Sequence, residues 1–93
     1  MDILTGSASF GPTYLNSGGN ISIVDVGGGP VTFGNTISMN ASGNITLRLT
    51  QATGQLAVTA AGTKDLSALS LSSDLNSKTP IFGGTGTNID PKP

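Results

Sequence analysis

The sequence predicts an all-β protein, and three observations predict it. Gly, Ser, Thr and Asn together supply 44 of the 93 residues. Only nine residues are charged, and every acid is Asp. That is far below the roughly 25% charge of ordinary soluble domains. Glu, Lys and Arg favour helices, Thr, Val and Ile favour strands, and Gly, Asn and Asp favour turns. The third observation is period two: in several windows an apolar residue alternates with a polar one, as in a half-buried strand.

The elements follow in order. Met1 to Gly19 is broken by Gly6, Gly11, Pro12 and Gly18-Gly19 and reads as an arm with a short strand near 7–10. "NISIVDV" is a strand with Ile21 and Ile23 inward and Val24 or Val26 beside them. "GGGP" is a turn, because its glycines reach positive φ and Pro30 has no N–H for a ladder. "VTFG" is a short strand.

The clearest stretch runs from Thr36 to Gly62. Its single charge is Arg48. "TISMN" puts Ile37 and Met39 on one face. "ASGN" reads as a hairpin turn. "ITLRLT" puts Ile45, Leu47 and Leu49 inward and Thr46, Arg48 and Thr50 outward. "QATGQ" reads as a second turn, and "LAVTA" puts Leu56, Val58 and Ala60 inward. Short Gly-containing loops between period-two runs predict an antiparallel meander. "GTKD" turns the chain again. In "LSALSLSSDL" a strand is favoured over a short helix capped by Asp65, because four serines oppose a helix. Ile81 and Phe82 give a last apolar anchor.

These elements sum to a small antiparallel β-sandwich or barrel of six to seven short strands, with turns about every eight to twelve residues. The expected organisation is an extended arm over 1–19, a β-domain over 20–78 and an extended tail over 79–93. A short β-solenoid is the alternative, because Gly-Asn precedes a β-branched residue at Gly19, Gly34 and Gly43. Those spacings, 15 and 9 residues, show no fixed period.

The missing residue types bear on chemistry. There is no His, no Cys and no Glu. The usual general base, the thiol nucleophile and a structural zinc site are therefore unavailable. Asp2, Asp25, Asp65, Asp74 and Asp90 form no shared motif, and nothing matches a Ca²⁺ loop. Ser77-Lys78-Thr79 lacks the glycines of a phosphate loop. Four basic residues and a net charge of −1 give no nucleic-acid footprint. The sequons at Asn20, Asn40 and Asn44 read as turn residues. No apolar run approaches the ~20 residues of a membrane span, and the start has no basic leader region. The expectation is no catalytic residue, no metal, no cofactor, no nucleic acid and no membrane.

What remains is assembly. Twenty-six large apolar residues make a thin core for a chain with no disulfide to help. Partners supply what such a core lacks. Strand edges here carry few of the charges that normally block pairing. In general style the chain resembles accessory structural proteins of phages and viruses. That resemblance implies a non-enzymatic capsid decoration or cement protein, made in the host cytoplasm and located on the virion. Its partners would be copies of itself and a larger shell protein. The expected assembly contacts are Ile3, Leu4, Phe10, Tyr14, Leu15, Ile81, Phe82 and Ile89, in the arm and tail. The alternatives are a subunit of an extracellular filament or surface layer built by strand exchange, and a small ligand-binding sandwich.

Overall fold

The computed structural model describes residues 1–6, 8–25, 30–34, 37–49 and 51–93. Gly27–Gly29 of the turn expected over Gly27–Pro30, the placement of Val26, and Ser7, Asn35, Thr36 and Thr50 lie outside the described residues.

Alternation of aliphatic and polar residues builds twelve short strands among the described residues. The first coil holds β1 (Asp2–Thr5), β2 (Ala8–Phe10) and β3 (Thr13–Ser17). The second holds β4 (Ile21–Asp25), β5 (Val31–Phe33) and β6 (Ile37–Ala41). The third holds β7 (Ile45–Arg48), β8 (Gln51–Ala52) and β9 (Leu56–Ala60). The fourth begins with β10 (Lys64–Asp65), crosses an irregular segment and returns with β11 (Ile81–Gly83). β12 (Asn88–Ile89) starts a fifth.

Each strand pairs in parallel with its counterpart one coil away. One sheet runs β1-β4-β7-β10-β12, the second β2-β5-β8 and the third β3-β6-β9-β11. The fold is therefore a three-sided β-solenoid. This corrects the antiparallel sandwich or barrel and supports the solenoid alternative. The physical reason is that period two reports one buried face and is silent on strand direction. The turns read as hairpins are corners. "ASGN" carries the chain from β6 to β7 in a different sheet, and "QATGQ" contains β8 itself. Parallel pairing needs a long return path, and the other two sides of the coil provide it.

The coils differ in length, which hid the repeat. Along the first sheet the register steps from Asp2 to Ser22, from Ile21 to Ile45, from Lys64 back to Ile45 and on to Asn88. The real repeat is one corner: Gly19-Asn20, Gly43-Asn44, Gly62-Thr63 and Gly86-Thr87 each precede a strand of this sheet. Gly34 follows β5 of the second sheet instead, so the Gly-Asn pair there breaks the count.

Inward side chains stack in columns. Ile21 lies over Ile45, Ile23 over Leu47, Ile37 over Leu56 and Met39 over Val58. All eight are essentially fully buried, each worth about 1.5–3 kcal/mol of transfer free energy. The inward set expected from Thr36 to Gly62 is thus buried in full, Leu49 and Ala60 included. Phe10 stacks on Phe33 with ring centroids 5.0 Å apart.

The expected strand over Leu66–Leu75 does not form, and no helix replaces it; a single bridge joins Ser70 to Lys92. Its serines and aspartates bind their own backbone instead. Asp74 accepts from the Ser70 N–H at 2.8 Å, and Asp65 from the Ser67 N–H at 3.0 Å. Such local bonds compete with a ladder. Leu66, Leu69 and Leu75 turn inward and fill the core on the side where the second sheet stops. The two segments expected as extended ends are coil strands: 1–19 carries β1–β3, and 79–93 carries β11 and β12.

Candidate functional site

Among the described residues there is no cavity and no group of three or more acidic, His or Cys side chains.

The eight residues singled out from sequence divide into two sets. Ile3, Phe10, Leu15 and Phe82 are half-buried and pack against the protein's own core. Leu4, Tyr14, Ile81 and Ile89 are exposed. Tyr14 and Ile81 share one outward column of the third sheet, running Tyr14, Ser38, Ala57, Ile81. Leu4 and Ile89 lie on the first sheet, at its opposite ends and in neighbouring columns.

The first coil is an edge on all three sides. β1, β2 and β3 are each terminal in their sheet. Alternate residues of a parallel strand bond to the same neighbour. Ala8 N–H donates to the Pro30 carbonyl at 3.0 Å, and the Phe10 carbonyl accepts from Gly34 N–H at 2.9 Å. The N–H and C=O of Ser9 between them therefore point to the open edge. By the same alternation, the Ser17 carbonyl bonds back to Ser42 N–H, which turns the backbone of Asn16 outward. Only Asp2 is charged on these three strands.

Sequence reasoning missed Lys64. It takes the place in its column held by Ile45 and Ile21 one and two coils away, and it is 1% exposed. Its ammonium donates to the carbonyls of Ala60 at 3.1 Å, Gly62 at 3.2 Å and Thr85 at 2.5 Å. A buried charge needs such partners. The signal was present: Gly-Asn-Ile, Gly-Asn-Ile and Gly-Thr-Lys align once the corner is recognised. The chain matches no family model, no curated protein and no solved structure.

The corners have their own ladder. Asn20 Oδ1 accepts from Asn44 N–H at 2.8 Å, and Asn44 Oδ1 accepts from Thr63 N–H at 2.8 Å. Two of the three sequon asparagines are thus committed to holding successive coils. Asp65 sits beside this region. The Ser67 hydroxyl, then the Ser67 N–H, hold its carboxyl below the usual range; slight burial opposes them, and the charge of Arg48 lowers it further.

Proposed function

We propose that this chain is a non-enzymatic structural protein that builds a rod or filament by joining its first coil to another β-strand edge. One observation carries the reading: three sheets end together on β1, β2 and β3, with backbone groups that no other described segment of this chain pairs. Free parallel edges of this kind recruit strands. Natural edges are usually blocked by Lys, Pro or inward charges, and these three strands have only Asp2. The shell-decoration reading relied on two free arms reaching across neighbours. Those residues are coil strands, so coil-end joining along the solenoid axis is the favoured route, and the filament reading gains over the decoration reading.

The test uses Ser9→Pro. Proline removes the edge-facing N–H of Ser9 and leaves the bonds of Ala8 and Phe10 to the second coil untouched. Sedimentation velocity over a wide concentration range should show self-association of the parent chain and a shift to monomer for Ser9→Pro, with circular dichroism unchanged. A parent chain that stays monomeric throughout would overturn the proposal. So would a folded Ser9→Pro variant that associates as well as the parent.

A further inference from the structure

We propose that the outer face of the third sheet binds an uncharged polysaccharide laid along the solenoid axis. The face is built by β3, β6, β9 and β11, and none of these strands contains a charged residue. Two outward columns cross it. One holds Asn16, Asn40 and Thr59 in register, and the other starts with Tyr14 and continues through the small residues Ser38 and Ala57. Strand spacing sets neighbouring members of a column about 4.8 Å apart, so the amides and the hydroxyl form a straight row across the strands.

The polar groups of this row are uncommitted. Among the described residues, the side chains of Tyr14, Asn16, Ser38, Asn40 and Thr59 make no hydrogen bond within the chain. The contrast with the corners is direct. Asn20 and Asn44 have the same side chain and hold the next coil's backbone, whereas Asn16 and Asn40 stand free in solvent. On the second sheet, Thr32 Oγ1 donates to Ser9 Oγ at 3.4 Å. The free set on the third sheet therefore leaves its hydrogen-bonding groups to solvent.

The chemistry selects the ligand class. Tyr14 is 68% exposed, and an aromatic ring offers an apolar face with a polar tip. Sugar rings present C–H faces to such a ring and hydroxyls to amides. Beyond Tyr14 the column continues through the small side chains of Ser38 and Ala57 to exposed Ile81. No cavity adjoins the face, which suits a chain lying on a platform better than a small molecule enclosed in a pocket. Nucleic acid and anionic glycans would require Lys or Arg here, and the face has none. A protein partner would need a larger apolar patch than one Tyr and one Ile supply. Each hydrogen bond formed replaces one with water, so the net gain per contact is small, and binding depends on several contacts in line.

This inference does not depend on coil-end joining, because the face and the edge are separate surfaces. The test is affinity electrophoresis of the full chain in native gels containing hydroxyethyl cellulose, with alginate as the charged control. The neutral polymer should retard the chain and alginate should not. Tyr14→Ala should weaken retardation by about tenfold, and Asn40→Ala should weaken it less. Leu4→Ala, on the first sheet and equally exposed, should leave it unchanged. Circular dichroism shows that each variant folds, which is expected because all three side chains are exposed. Absence of retardation, equal retardation by alginate, or full retention by folded Tyr14→Ala would each overturn the proposal. If Tyr14→Ala instead abolishes self-association while retardation is unaffected, the face is a protein interface and the proposal also falls.

Discussion

The ammonium of Lys64 donates to the carbonyl oxygen of Thr85, joining the third corner to the fourth across 21 residues of sequence. The same group holds the Ala60 and Gly62 carbonyls. Lys64→Met keeps an apolar stem of similar length and removes the donor from all three oxygens. An orphaned buried acceptor costs about 1–3 kcal/mol, so urea denaturation should show a loss in that range. Hydrogen exchange should speed up at Lys64 N–H and Leu66 N–H, which bond to Thr87 and Ile89. Lys78→Ala is the control. Lys78 is exposed, its ammonium donates to the Thr53 carbonyl, and loss of that side chain should change stability by no more than about 0.5 kcal/mol.

The corner ladder makes a second prediction, about glycine. A Cβ on Gly62 would collide with Asn44 Oδ1 and come within 2.8 Å of the Gly43 carbonyl oxygen. Gly62→Ala should therefore destabilise by about 1–3 kcal/mol, as overpacking does. Gly18 is one residue from the equivalent corner position, and a Cβ added there meets nothing within 4 Å, so Gly18→Ala should stay within about 0.5 kcal/mol. Asn44→Ala, which leaves Thr63 N–H without its acceptor, should cost about 0.5–1.5 kcal/mol. Thermal unfolding of the three variants ranks them.

These corners show what was legible in the sequence. The inward faces could be read because burial imposes alternation on any strand, whichever way its neighbours run. Ile37, Met39, Leu56 and Val58 are inside for that reason. Strand direction could not be read. It depends on whether a corner such as Ser42-Gly43 reverses the chain or passes it to another sheet, and "ASGN" has the composition of either. The actual signal was the Gly-Asn and Gly-Thr corner, and coils of unequal length scattered its spacing.

Lys64 was hidden by the same scatter. Beside Asp65 and Gly62, a lysine reads as a solvated turn residue. Only its column, shared with Ile21 and Ile45, requires it to be inside. Leu66–Leu75 failed in a different way. Its leucines are buried as an apolar pattern predicts, but Asp65 and Asp74 divert the backbone into local turns. The free amides of Asn16 and Asn40 follow Leu15 and Met39, whereas the corner asparagines Asn20 and Asn44 follow a glycine; that difference acquires a meaning only once the corner is recognised and the hydrogen bonds are known.

The ring pair of the second sheet gives a third prediction. Phe33 is 2% exposed, while Phe10 lies on the edge coil and is half-buried. Phe33→Ala removes a buried ring from the centre of the column and should cost about 3–5 kcal/mol. Phe10→Ala should cost clearly less. The rings stack at 5.0 Å, so the double variant should lose less than the two single losses added together, because contacting residues are not independent. Additive losses in urea denaturation would show that the stacking contributes nothing of its own.

Asp65 gives a pH dependence whose sign is fixed by its partners. The Ser67 hydroxyl, at 2.6 Å, is the largest influence, and it favours the ionised carboxyl in the folded chain. A carboxyl lowered on folding contributes stability above its unfolded value, near pH 3.9, and loses that contribution as pH falls through the lower folded value. Ser67→Ala removes the main cause, so an NMR titration should find the Asp65 carboxyl returned toward the usual range. Asp65→Asn should lower the melting temperature at neutral pH, and its gap to the parent chain should close as pH falls below about 4. Arg48→Ala should act in the same direction as Ser67→Ala but more weakly, because its charge is the last of the lowering influences, and added salt should screen that part alone. A gap that widens on acidification would mean that the folded chain raises this carboxyl, which the two bonds from Ser67 oppose.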